Sequence, residues 1–213
     1  MPEIKKRIAV LASGSGTNLQ AIINAVETGK LDYIYVAIVI SNKKDAFALE
    51  RAKSAGVKTV FVDPKEFKSN EEYDKRLIEV ICNYNVDLIV LAGYMKILTE
   101  SFINAFKNKI INIHPALLPD FGGKGMYGKN VHEAVLKSGV KESGCTVHFV
   151  TTEVDAGPVI AQRRVPVIPG DTTNSLSKRI LKEEHKLLIE AIEKVFNFPR
   201  HCEEARSADE AIS

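Results

Sequence analysis

Asn112 and His114 end an apolar run and are followed at once by Pro115, in the stretch NIHPALLP at residues 112–119. In a strand, positions i and i+2 project to the same side, so an amide and an imidazole share one face. An amide donates hydrogen bonds, and an imidazole donates, accepts or carries charge near neutral pH. Such a pair suits stabilisation of a developing oxyanion and movement of a proton. The competing reading is a histidine bonded to nearby backbone. The glycine-rich stretch DFGGKGMYGKN that follows favours the chemical reading.

Asp155, in TTEVDAGPVI, is the acid that could complete the set. An aspartate just ahead of a glycine is also ordinary turn chemistry, and both readings stay open. A carboxylate beside His114 would favour the imidazolium, so on the chemical reading His114 is expected to be largely cationic at neutral pH. A third feature is ASGSGTN, where Gly14 and Gly16 let the backbone approach a ligand closely. The helix after it offers unpaired N–H groups and the positive end of its dipole, which suits a phosphate. The alternative is a tight turn with Thr17 or Asn18 as the helix cap. Leu19 stands where a dinucleotide fingerprint needs its third glycine, and no P-loop lysine is present, so neither motif is indicated. Fourth, Glu184 falls within an apolar helical stripe of Leu176, Ile180, Leu187, Ala191 and Val195, flanked by Leu181 and Leu188. An unpaired carboxylate there would be costly, so Glu184 must find a partner or face a cavity. His185 lies at the edge of that stripe. His132 and His201 have no companions, and His148 reads as a structural residue inside CTVHFV.

The elements that must position these residues alternate from the start. RIAVLASG is a continuous apolar run, as expected of a strand buried on both faces. A helix follows over TNLQAIINAVETG, with Gly29 ending it, then a strand over YIYVAIVIS. A helix over DAFALERAKSAG, with Asp45 as its cap, leads to a strand over VKTVFVD. EEYDKRLIEVICNYN is helical, VDLIVLAG is a strand, and a short helix near TESFINAFKN precedes KIINIHP. The series predicts an α/β chain with a mostly parallel twisted sheet and helices on both faces, Rossmann-like. Beyond the glycine-rich loop the pattern changes. A helix near VHEAVLKSG is followed by CTVHFVTTEVD and PVIAQRRVPVI, two β segments whose short AG link predicts a hairpin or tight bend. A long final helix runs from TTNSL to VFNF.

Composition bounds the rest. The 213 residues, 45% of them hydrophobic and 26% charged, suit one compact domain. A net charge of +2 with scattered basic residues gives no reason to expect nucleic acid or membrane as a partner. No apolar stretch reaches the roughly 18 residues a membrane span needs, and the apolar N-terminal run is too short for a signal peptide. Cys82, Cys145 and Cys202 are widely spaced, which predicts neither a metal site nor a disulfide framework. The cytoplasm is the expected location. The polar stretch after Pro199, RHCEEARSADEAIS, reads as a disordered tail over 199–213.

Taken together, SGSGTNLQAII, SNKKDAFALERAKSAG, LAGYMKIL, NIHPALLP and HFVTTEVDAGPVI closely resemble the bacterial glycinamide ribonucleotide formyltransferases over about residues 7–198. The resemblance implies one formyltransferase domain over 1–198, with a nucleotide-binding half at about 1–108 and a folate and catalytic half at about 109–198. It implies formyl transfer from 10-formyltetrahydrofolate to glycinamide ribonucleotide in purine synthesis. No metal is implied, and the assembly would be a monomer or homodimer. By the same resemblance Asn112, protonated His114 and Asp155 are the catalytic trio. Gly16, Thr17 and Asn18 hold the ribonucleotide phosphate, and Glu184 contacts the ribonucleotide. Met95, Lys96, Ile97 and Leu98, with Asn112, form the folate pocket. The chain departs from many relatives at Asn70, where they carry a basic residue, and in the longer glycine-rich loop. Other formyl-folate enzymes share the trio. The tRNA formyltransferases add a C-terminal domain, and the formyl-folate hydrolases add an N-terminal one. Neither is expected here, because strand one begins near residue 7 and fewer than 20 residues follow the final helix. A non-catalytic nucleotide-binding module is the remaining alternative.

Overall fold

In the computed structural model, which describes residues 5–197, one seven-stranded sheet runs through the chain in the order β3-β2-β1-β4-β5-β6-β7. The elements are β1 (Lys6–Leu11), α1 (Thr17–Glu27), β2 (Ile34–Ser41), α2 (Phe47–Ser54), β3 (Thr59–Phe61), α3 (Asn70–Cys82), β4 (Leu88–Leu91), α4 (Glu100–Ala105), β5 (Ile110–His114), α5 (Lys129–Ser138), β6 (Glu142–Phe149), β7 (Val159–Pro166) and α6 (Thr173–Asn197). Strands β1 to β5 pair in parallel, and β6 and β7 add antiparallel to β5. The residues expected to form a disordered tail, 199–213, lie outside the described residues.

The apolar strands follow from burial on both sides. In β1, Ile8 and Val10 join one core with α1 and α6, while Ala9 and Leu11 join the opposite core with α3 and α4. The parallel part is therefore covered by helices on both faces, as parallel sheets require. Strand order reverses between β1 and β4, since β1 leads outward to β2 and β4 lies on its other side. Open α/β sheets leave a crevice beyond the carboxyl ends of strands at such a point.

Three local expectations are corrected. Asp45 does not cap α2. The N-cap is Ala46, without a side-chain bond. The Ala48 N–H that a capping side chain would satisfy instead reaches the Gly14 carbonyl at 3.1 Å, so the β1–α1 loop serves as the cap. Neither Thr17 nor Asn18 caps α1, because Gly16 holds that position at φ 69°. The β6–β7 link is not the two residues AG. Residues 150–158 leave the sheet as a loop, pinned where Phe149 N–H donates to Pro158 O at 2.9 Å. Gly157 makes this close approach possible, because a Cβ there would sit 1.8 Å from Phe149 O.

The final helix packs as its stripe foretells: Leu176, Ile180, Leu187 and Ala191 are buried, with Val195 at the margin. Replacing Ile180 by Ala removes three carbons from a fully buried site. The expected loss is about 2–5 kcal/mol of unfolding free energy, read from denaturant titration.

Candidate active site

At the strand-order reversal the loop after β1 bends sharply into α1. Gly16 is fixed there by two constraints, its left-handed φ of 69° and an Ala48 Cα that would lie 2.6 Å from any Cβ. Arg51 steadies the same loop by donating from Nε to the Ser15 carbonyl at 2.8 Å. No side chain caps α1 and no acidic residue stands in its first turn. The first N–H groups and the helix dipole are thus free to meet an anion. Gly14 to Asn18 line a cleft of about 890 Å³.

Across the cleft, β5 delivers Asn112 and His114, and the 150–158 loop delivers Asp155 in a left-handed conformation (φ 57°). His114 Nε2 lies 2.9 Å from the Phe121 carbonyl. A carbonyl can only accept, so this nitrogen carries the hydrogen and Nδ1 keeps its lone pair. Nδ1 stands 3.5 Å from Asp155 Oδ2. His148 repeats the arrangement. Its Nδ1 donates to Phe149 O at 2.9 Å, and its Nε2 stands 3.6 Å from Asp155 Oδ1. Both separations exceed an ordinary hydrogen bond. Asn112 Nδ2 donates to His148 Nε2 at 3.2 Å, leaving its second N–H for the cleft. Gly123 N–H donates to Asp155 Oδ2 at 3.0 Å.

Charge follows from this setting. Burial, the strongest influence, pulls the His114 imidazole below its ordinary 6.5, and the Asp155 charge and Phe121 carbonyl oppose it without overcoming it. Against the expectation drawn from a neighbouring carboxylate alone, desolvation disfavours the cation more than one carboxylate at 3.5 Å favours it. For Asp155, burial works upward, but the neighbouring His148 and His114 rings and the Gly123 N–H together hold the carboxyl below the ordinary range. The trio is therefore a carboxylate with an adjacent proton vacancy on Nδ1.

Glu184 has both a partner and a cavity. It lines the cleft, is 8% exposed, and accepts from Asn18 Nδ2 at 2.7 Å. Burial raises its carboxyl group, and the Asn18 bond offsets this only in part. Met95, Lys96, Ile97 and Leu98 line the side of the cleft beyond β4, with Met95 and Ile97 exposed and Leu98 buried. Every candidate residue, from Gly16 to Glu184, thus borders one cleft.

Sequence reasoning missed His148 and His132. His148 sits opposite Asn112 in the β5–β6 register, and only that antiparallel pairing reveals it. His132 on α5 also lines the cleft, with a buried Nδ1 that has no hydrogen-bond partner among the described residues. No signal in the sequence pairs either with His114. Asn70 accepts a hydrogen bond from Lys96 Nζ.

Comparison with known proteins bears on the family and the fold. The family model described as formyl transferase matches residues 6–192. Phosphoribosylglycinamide formyltransferase of Escherichia coli (strain K12) is 45% identical over 180 residues, 84% of this chain and 82% of that protein. The chloroplastic enzyme of that name from Arabidopsis thaliana is 44% identical over 88% of this chain, which spans 64% of it. The trifunctional purine biosynthetic protein adenosine-3 of Gallus gallus is 43% identical over 90% of this chain, which spans only 18% of it. Among solved structures, glycinamide ribonucleotide transformylase 1 from Symbiobacterium toebii superposes with a TM-score of 0.84 at 48% identity, covering 88% of this chain and 86% of that one. The chain belongs to the formyl transferase family.

Proposed function

We propose that this chain transfers a formyl group from 10-formyltetrahydrofolate to the primary amine of glycinamide ribonucleotide, a step of purine biosynthesis. The observation that carries the reading is the convergence of Asn112, His114 and Asp155 on one cleft that the α1 N-terminus also borders. The named relatives point the same way. In this reading Gly16, Thr17 and Asn18 hold the phosphate and Glu184 accepts from the ribonucleotide. Met95 to Leu98, with Asn112, seat the folate.

The amine attacks the formyl carbon and a C–N bond forms, placing negative charge on the formyl oxygen. The free N–H of Asn112 meets that charge; losing one such donor raises the barrier by about 2.7–4 kcal/mol. The amine proton passes to the Asp155–His114 pair, where Nδ1 is open to receive it. The resulting imidazolium sits against Asp155 and adds a positive charge beside the oxyanion. The carbon–nitrogen bond to folate then breaks, and the same proton goes to the departing nitrogen. Holding both substrates in one cleft supplies much of the remaining acceleration.

A solution of protein and 10-formyltetrahydrofolate, followed by folate absorbance as each acceptor is added, tests the reading. Release of tetrahydrofolate is expected with glycinamide ribonucleotide alone. Release with tRNA or with water alone would assign the chain to another formyl-folate reaction, and no release would leave a binding module. Asp155→Asn is expected to lower kcat by about 10²–10⁴ with little change in melting temperature; turnover near wild type would remove Asp155 from the mechanism. Because His114 must be neutral to accept a proton, kcat/KM falls as pH drops through its depressed pKa. The acid limb therefore lies below 6.5. In Asp155→Asn the limb moves lower still, since the charge that favours the imidazolium is gone. A limb above 6.5 would contradict the assignment. Glu184→Ala is expected to raise KM for the ribonucleotide while leaving KM for formyl-folate within about twofold.

A further inference from the structure

Residues 93–99, between β4 and α4, border the cleft without helix or strand of their own. Backbone outside regular structure has no ladder to hold it, and local opening is cheap unless other groups tie it down. Here the ties come largely from α3. Tyr73 and Tyr94 share a hydrogen bond between hydroxyls at 2.7 Å. The Lys96 ammonium lies 5.0 Å from the centre of the Tyr73 ring and donates to Asn70. Asp74 Oδ2 accepts from Thr99 N–H at 2.6 Å, just past Leu98. On the other side Ser13 Oγ accepts from Met95 N–H at 2.8 Å.

Asp74 is the unusual member. It is fully buried, and its second oxygen has no hydrogen-bond partner among the described residues. Burying a half-satisfied carboxyl group works against folding. Packing α3 against the sheet does not require it, since Tyr73, Leu77, Val80 and Ile81 supply the apolar face. What Asp74 adds is a link from α3 to the end of the segment, where Thr99 otherwise bonds only within α4, its carbonyl to Ile103 N–H at 3.1 Å and its hydroxyl to Ser101 at 2.9 Å. The start of α3 is itself firmly set: Ser69 Oγ accepts from Glu72 N–H at 3.2 Å, and Glu72 Oε2 accepts from Lys68 N–H at 2.9 Å.

We infer that Asp74, with Tyr73 beside it, is a positioning residue for the formyl donor: it clamps the 93–99 segment so that Met95 to Leu98 meet the folate ring in one arrangement. It acts through the segment, because Asp74 does not itself border the cleft. The inference rests on the folate assignment of Met95–Leu98.

The test uses the full chain with Asp74→Ala, Asp74→Asn and Tyr94→Phe. Two readouts are taken: amide hydrogen exchange over residues 94–99, and the separate KM values for formyl-folate and ribonucleotide. Asp74→Ala is expected to speed exchange at Thr99 and its neighbours, and to raise KM for formyl-folate about fivefold, the loss of one buried hydrogen bond. The KM for ribonucleotide stays unchanged. Asp74→Asn, whose carbonyl can still accept from Thr99, restores both values. Tyr94→Phe preserves shape, so it reports even if the alanine variant fails to fold; it gives a smaller shift of the same kind, confined to the folate. Equal changes in the two KM values, unchanged exchange, or no rescue by asparagine would overturn the clamp. If the unaltered protein transfers no formyl group, the functional proposal falls instead. Exchange over 94–99 then decides the clamp alone, with acceleration in Asp74→Ala supporting it and unchanged exchange overturning it.

Discussion

A carboxylate taken out of water between two imidazoles is the constraint on which the rest of this molecule turns. Asp155 receives one direct bond there, from Gly123 N–H, and His114 and His148 stand 3.5 and 3.6 Å from its two oxygens. Each imidazole has already given one hydrogen to a backbone carbonyl, which sets its tautomer and its orientation. The site is thus held in the form that lacks a proton. Desolvation disfavours the His114 cation, and the nearby carboxylate offsets this in part.

Holding that arrangement asks much of the sheet. Asn112 and His148 face each other only because β6 turns back antiparallel to β5. Asp155 reaches them only because residues 150–158 leave the ladder and fold over Phe149. The parallel half of the sheet contributes the other wall: β1 ends at the Gly14–Asn18 turn and β4 ends at the 93–99 segment, on either side of the strand-order reversal. Chemistry therefore sits where the parallel and antiparallel parts of one continuous sheet meet.

Local stability is given up in the cleft and just behind it. Glu184 lies within the apolar stripe of α6, Asn18 Oδ1 and His132 Nδ1 lack hydrogen-bond partners among the described residues, and Asp74 is half-satisfied. Each would be more stable as an apolar side chain of similar size. Glu184, Asn18 and His132 border the cleft and Asp74 stands behind its 93–98 wall, amid cores built of Ile, Leu and Val.

Much of this was legible without coordinates. The apolar runs of β1, β2 and β4 and the periodicities of α1, α3 and α6 specify their elements, because burial on one or both faces leaves a pattern of fixed period. Asn112 and His114 announce a shared face through their i, i+2 spacing, and Glu184 announces a cavity or partner by interrupting an apolar stripe. Other features were decided only by the tertiary structure. The capping of α2 by Gly14 O, the path of residues 150–158, and the pairing of His148 with Asn112 all join residues far apart in the chain. The charge of His114 depended on it too. Sequence supplies a neighbouring carboxylate, but the sign of the outcome rests on how much water the fold removes from around the ring, and that is a property of packing in three dimensions.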